Sequence, residues 1–236
     1  MNLDPLHPVI EQIIDLHKAR KTSVFIGLAG GVAAGKSTVA LLLSDALTLR
    51  SMTTSVVSTD GFLLSNSQLA SLGLSHRKGF PDSYDVTAIE KFFSAIRSGS
   101  TTTIPVYDHR TYDITDSFIT VAPVDIVLLE GVNALQFAHN LDLGIYLHAE
   151  EPYLRKWFLA RAFTYRDAAR DTYSPFFTPW VDAPDKLFQE MAESAWVDVN
   201  LVNLLNYIEP TRAAAHLVIV QNGDHSIQSV ERREPS

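Results

Sequence analysis

The run Gly30-Gly31-Val32-Ala33-Ala34-Gly35-Lys36-Ser37 constrains this chain more than any other feature. It fits G-x-x-x-x-G-K-[ST] without a mismatch, and Thr38 continues it. The apolar stretch Ser23–Leu28 ahead of it reads as a buried strand, and Ser37–Leu49 behind it reads as a helix. Glycines let the backbone curl until successive N–H groups point at one anion, and the positive end of the following helix adds to that field. In such a loop Lys36 reaches the β- and γ-phosphates of a nucleotide, and the Ser37 hydroxyl is a magnesium ligand. The strand–loop–helix commits the chain to an α/β fold, a P-loop NTPase-type parallel sheet with helices on both faces.

The remaining sequence keeps the same alternation. Val9, Ile10, Ile13, Ile14 and Leu16 predict an N-terminal helix. Further buried strands are predicted at Thr54–Thr59, Val124–Leu129, Leu143–Leu147 and Ala214–Val220. Thr87–Ser98 is amphipathic and ends at Gly99, and helical stretches follow near Tyr153–Arg166 and Pro184–Tyr207. The last has Asp182 near its start, Pro184 in its first turn and Pro210 beyond its end. No repeat or linker divides the chain, so residues 1–236 are expected to form one P-loop domain. Within it, a helical lid and acceptor-pocket segment is expected at about 153–183, and a polar, frayed tail from Asp224 to Ser236.

Composition narrows the partners. A net charge of −8 argues against nucleic acid, which needs a basic face. The absence of cysteine excludes disulfides, thiolate nucleophiles and Cys-ligated metals. The N-terminus carries Asp4 and Glu11 and lacks the unbroken apolar core of a secretory signal. No run approaches the roughly 18 apolar residues of a membrane span. A cytoplasmic protein with a small-molecule partner, and neither a nucleic-acid nor a membrane partner, is expected.

The carboxylates carry the next inference. There is no N-K-x-D base-reading motif of a GTPase and no transporter signature loop. Right-handed βαβ winding brings Asp60, just past Thr54–Thr59, to the sheet edge that holds the phosphate loop. Glu130, just past Val124–Leu129, arrives at the same edge. There Asp60 is suited to accept a proton from an attacking hydroxyl, and Glu130 to bind magnesium directly or through water. Either carboxylate could instead cap the next helix.

Five further blocks occur in order: Thr59-Asp60-Gly61-Phe62-Leu63, Lys78-Gly79-Phe80-Pro81-Asp82-Ser83-Tyr84-Asp85, Pro105-Val106-Tyr107-Asp108-His109, Leu129-Glu130-Gly131-Val132-Asn133 and Glu209-Pro210-Thr211-Arg212. With them the chain resembles the bacterial type I pantothenate kinases, within the wider uridine kinase and phosphoribulokinase group, from about Ser23 to Asn222. The resemblance implies transfer of the γ-phosphoryl group of ATP, with Mg²⁺, to the primary hydroxyl of pantothenate, the first step of coenzyme A synthesis. It makes Asp60 the catalytic aspartate. Tyr107, His109 and Tyr112 match groups of the acceptor pocket, and Arg166 matches an arginine directed at the transferring phosphoryl group, a role for which Arg161 and Arg170 are the rivals on the same stretch. Homodimers are common among these kinases, so a homodimer is expected.

Several positions depart from the pattern. Leu41 stands where the family has an arginine for the inhibitor's phosphates, so feedback inhibition by coenzyme A does not carry over. Arg170 stands at a pocket phenylalanine, and Tyr207, next to Asn206, at an asparagine that binds pantothenate. Arg170 could pair with a carboxylate or phosphate of a different substrate, or point into water. Phe176, Phe177 and Trp180 form either a mobile lid or packing on the sheet. Three functions are compatible with the sequence: a pantothenate kinase, the same chemistry on a nucleoside, sugar or other hydroxy acid, and a nucleotide-binding regulator without an acceptor.

Overall fold

The computed structural model describes residues 4–20 and 22–234. In chain order it contains α1 (His7–Arg20), β1 (Val24–Gly30), α2 (Lys36–Thr48), β2 (Thr54–Ser58), α3 (Asn66–Ser71), α4 (Val86–Arg97), β3 (Thr102–Asp108) and β4 (Asp113–Val121). It continues with β5 (Ile126–Glu130), β6 (Leu143–His148), α5 (Glu151–Ala168), α6 (Asp185–Ala195), β7 (Leu217–Gln221) and β8 (Ile227–Arg232).

Six strands form one sheet in the order β2-β5-β1-β6-β7-β8. Neighbours from β2 to β7 run parallel, and β8 closes the edge antiparallel to β7. β1 and β5 are buried along their whole length because helices cover both faces. Val24, Ile26 and Leu28 of β1 pack with α1 and α2 on one face. Phe25 points to the other, where it meets Phe93 of α4 edge-on at 5.0 Å.

The predicted strands and helices all occur, with boundaries shifted by a few residues. Two features were not read from the sequence. The β3–β4 hairpin forms a separate two-stranded sheet beside Asp60. The stretch read as a frayed tail instead carries β8, whose ladder runs from Leu217↔Arg232 to Gln221↔Ile227. Pro235 and Ser236, the end of that stretch, lie outside the described residues. The tail reading failed because its polar residues sit on an edge strand, which needs no apolar partner on its open side.

The stretch Pro184–Tyr207 is helical but not one regular α-helix. After α6 it passes through π-helical turns at Trp196–Asn200 and Leu204–Ile208. Each such turn inserts a residue relative to the 3.6 period and so rotates the helix face presented by later residues. Among the described residues, no helix is long and apolar enough to cross a membrane.

Candidate active site

Strand order brings the phosphate end together. Leu28 of β1 and Ser58 of β2 both pair with Glu130 of β5, so three strand ends lie level. The loop after β1 curls back through left-handed backbone at Ala33 (φ 65°) and Gly35 (φ 83°) and enters α2 at Lys36. The Lys36 ammonium donates to the Gly31 carbonyl at 2.9 Å and is buried. Burial lowers its pKa to about 8, with the negative charges of Glu130 and Asp60 pulling the other way. Burial likewise raises the Glu130 carboxyl above the usual range, opposed by Lys36. Gly131 lets this strand end approach the Asp60 turn, because a Cβ there would collide with the buried Thr59 side chain.

A cavity of about 360 Å³ opens from this edge. Val32, Ala33, Lys36, Ser37, Asp60 and Glu130 line its phosphate end. Tyr107, His109 and Tyr112, from the β3–β4 hairpin, line it too, with His109 Nε2 3.8 Å from Asp60 Oδ2. Burial, and then the charge of Asp60, pushes the Tyr84 and Tyr107 hydroxyls above the ordinary phenol range, so both stay protonated. Lys78 faces the same space with its ammonium 5.1 Å from the centre of the Tyr107 ring, and burial lowers its pKa. The far wall is apolar and aromatic, with Phe158, Tyr165, Phe176, Phe177, Met191 and Val199.

A second cavity, also about 360 Å³, adjoins the phosphate loop and shares Ala33, Lys36, Ser37 and Arg161 with the first. Ala33, Gly35, Lys36, Ser37 and Thr38 line it with Trp157, Arg161 and His225. The Trp157 and His225 rings stack at 3.6 Å and 21°, and the indole N–H donates to the Gly223 carbonyl at 3.3 Å. His225 comes from the β7–β8 turn, inside the supposed tail. Burial holds its imidazole below the usual range, which favours the neutral ring.

Some expected site residues do not reach either cavity. The Arg166 guanidinium is buried between Asp185 (2.8 Å) and Asp167 (3.0 Å), against the rings of Phe163 and Phe188. Arg161 is the arginine of α5 that lines both cavities. The helical period explains the difference: Phe158, Arg161, Ala162 and Tyr165 fall at i, i+3, i+4 and i+7, while Arg166 belongs to the face turned to α6. That stripe was the available signal. Arg170 is tied to Asp182 at 3.3 Å and to the Val181 carbonyl, so it pairs with its own loop. Asn206 is exposed, and Tyr207 packs edge-on against Phe80 at 5.7 Å. The asparagine of that helix in the cavity wall is Asn200, brought there by the π-helical turn at its position. No sequence signal marks that turn. Of the aromatic segment after α5, Phe176 and Phe177 line the cavity, and Trp180 packs on Phe188 at 6.0 Å.

Beyond this geometry, residues 25–173 match the family model described as the phosphoribulokinase / uridine kinase family. The chain belongs to this family. It is 37% identical over 231 residues to a pantothenate kinase of Mesorhizobium japonicum, covering 91% of this chain and 72% of that one. A pantothenate kinase of Vibrio cholerae is 35% identical over 225 residues, covering 89% and 72%. Among solved structures, a putative fructose transport system kinase from Silicibacter sp. superposes with a TM-score of 0.71 at 22% identity, covering 87% of this chain and 94% of that one. That last likeness concerns the fold alone.

The donor set fits a magnesium ion. Ser37 and the buried Glu130 place hard oxygen atoms beside the phosphate loop that would suit it. Among the described residues no group of three or more His, Asp or Glu side chains is placed to hold a metal ion by itself.

Proposed function

We propose that this kinase transfers the γ-phosphoryl group of Mg·ATP to the primary hydroxyl of pantothenate. The observation that carries this reading is the continuity of one cavity. Lys36, Asp60 and Glu130 stand at one end of it and Lys78, Tyr107 and Asn200 beyond them, in a chain whose curated relatives are named pantothenate kinases.

In this mechanism the loop amides and Lys36 hold the β- and γ-phosphates. Asp60 orients the acceptor hydroxyl and takes its proton as the oxygen bonds to the γ-phosphorus and the bond to the β–γ bridging oxygen breaks, releasing ADP. Arg161 compensates the charge on the transferring group from its position between the two cavities. Ser37 and Glu130 would hold magnesium, which would supply neutralisation of the phosphate charge. The stacked Trp157–His225 pair offers the nucleobase a flat face. Lys78, Tyr107, Tyr112, His109 and Asn200 present polar groups to the acceptor, and Phe176 and Phe177 cover its apolar part.

The exchanges that favoured a different acceptor, Arg170 and Tyr207, involve side chains outside the cavity lining, which removes their weight. A coupled assay of ADP release across pantothenate, uridine, glycerate and simple sugars tests the reading. Pantothenate is expected to stimulate release most strongly. Stimulation by another alcohol with none from pantothenate overturns the substrate. Tight ATP binding with no stimulation by any acceptor would instead favour a regulator.

A further inference from the structure

Residues 77–84 form a closed turn at the rim of the cavity. The Phe80 N–H donates to the Arg77 carbonyl at 3.0 Å, and the Gly79 N–H donates to Ser83 Oγ at 2.9 Å. The Ser83 hydroxyl in turn donates to the Phe80 carbonyl at 2.7 Å. Gly79 has φ +86° with open space where a Cβ would stand, so the backbone, not crowding, calls for glycine. Its carbonyl accepts two side-chain amides at once, Asn133 Nδ2 and Asn203 Nδ2, each at 2.8 Å.

Both asparagines are buried, and the Oδ1 atom of each has no partner. A carbonyl can only accept, so the Gly79 carbonyl orients both amides, and a flipped amide would set oxygen against oxygen. Each asparagine belongs to an element that also lines the cavity. Asn133 lies three residues beyond Glu130, and Asn203 three beyond Asn200. Tyr207 docks the same turn a second time, with Phe80 edge-on at 5.7 Å and the Arg77 guanidinium over its ring at 5.7 Å.

What this turn delivers to the cavity is Lys78. Its ammonium donates to Asn66 Oδ1 at 2.5 Å and to the Tyr112 carbonyl, and lies 3.7 Å from Asp113. We propose that Asn133 and Asn203 are positioning residues for the acceptor: converging on the Gly79 carbonyl, they hold Lys78 where its ammonium meets an anionic end of the molecule being phosphorylated. The proposal rests on the phosphoryl-transfer reading above. It makes the C-terminal helix, through Asn203, responsible for a contact made by a residue that precedes it by more than a hundred positions.

A double-mutant cycle tests it. Asn203→Asp keeps the shape but turns an acceptor toward the Gly79 carbonyl, and Asn203→Leu removes the donor without adding charge. In either variant the acceptor KM is expected to rise about tenfold or more while the ATP KM stays within about twofold. In a Lys78→Met background the same substitution is expected to add less than about twofold, because the lysine it positions is gone. Effects that multiply, or KM values for ATP and acceptor that rise together, overturn the proposal. If Asn203→Asp does not fold, Asn203→Leu and Asn133→Leu decide by the same criteria. Should the parent phosphorylate no acceptor, the transfer reading fails and the clamp is read separately. Titration of ¹³C-methylated Lys78 by NMR, assigned by its loss in Lys78→Arg, is expected to move up toward an ordinary lysine in Asn203→Leu. An unchanged titration overturns the clamp.

Discussion

At the phosphate end of the cavity the key groups hang from the ends of parallel strands, whereas at the acceptor end they come from helix faces, a hairpin and an aromatic loop. Lys36 and Asp60 follow β1 and β2, Glu130 ends β5, and the ladder that levels Leu28, Ser58 and Glu130 aligns those ends. Arg161, Asn200, Lys78 and Phe177 instead depend on how α5, the π-helical stretch, the 77–84 turn and the 173–181 loop pack together. A sheet edge is fixed by strand order and pairing. A helix face is fixed by a rotation, and one inserted residue changes which side chain looks inward.

The comparison can be broken at the phosphate end first. Asp60→Asn is expected to lower kcat by roughly 10²–10⁴-fold, with ATP affinity changed by less than about twofold, as read by steady-state kinetics and nucleotide titration. A variant nearly as fast as the parent would remove Asp60 from the role of base.

The arginines sharpen it next. Arg161→Gln is expected to cost roughly 10²-fold in kcat, as loss of one charge-stabilising donor does. Arg166→Gln is expected to leave kcat within a few-fold of the parent but to lower the melting temperature, since it leaves Asp185 and two aromatic faces without their cation. The reverse pattern would return the phosphoryl contact to Arg166.

The asparagines give a smaller contrast. Asn200→Leu is expected to raise the acceptor KM about tenfold, whereas the exposed Asn206→Ala is expected to change neither KM by more than about twofold. Equal effects would mean that the π-helical register does not select the acceptor contact.

The last effect, small at neutral pH and growing only above about pH 8, is on pH dependence. With its pKa lowered to about 8 by burial, Lys36 is half neutral near that pH in the free protein, while bound phosphate favours the charged form. ATP affinity is therefore expected to hold below about pH 8 and to fall above it by up to about tenfold per pH unit, with proton uptake on binding measurable by calorimetry in buffers of different ionisation enthalpy. The sign for stability is opposite. Between about 8 and the ordinary 10.5 the unfolded chain binds more protons at this lysine, so its contribution to the stability of the free protein rises with pH. Nucleotide affinity that is flat to pH 10 would show that Lys36 stays charged.

Much of the phosphate end was legible in the residues themselves. A glycine-rich turn between an apolar run and a helix has one good conformational solution, and carboxylates that close apolar runs are carried to one edge by parallel winding. The acceptor end was legible only through the family resemblance, and only in part. Tyr107, His109 and Tyr112 reached the cavity, but Arg166, Arg170, Asn206 and Tyr207 did not, and Lys78, Arg161, Asn200 and Trp157 took cavity positions instead. His225 shows the limit most clearly. It lies in a polar stretch that reads as unstructured, and only the β7–β8 ladder brings it over Trp157 beside the phosphate loop.

The sequence by itself determined the α/β sheet, the anion-binding loop and the edge at which its carboxylates gather, because these depend on local periodicity and on chain winding with a single favoured hand. Tertiary structure decided which arginine and which asparagine face the cavity, and how a C-terminal helix steadies a lysine far ahead of it in the chain. Those choices depend on helix rotation and on hydrogen bonds between residues distant in sequence, which no local pattern encodes.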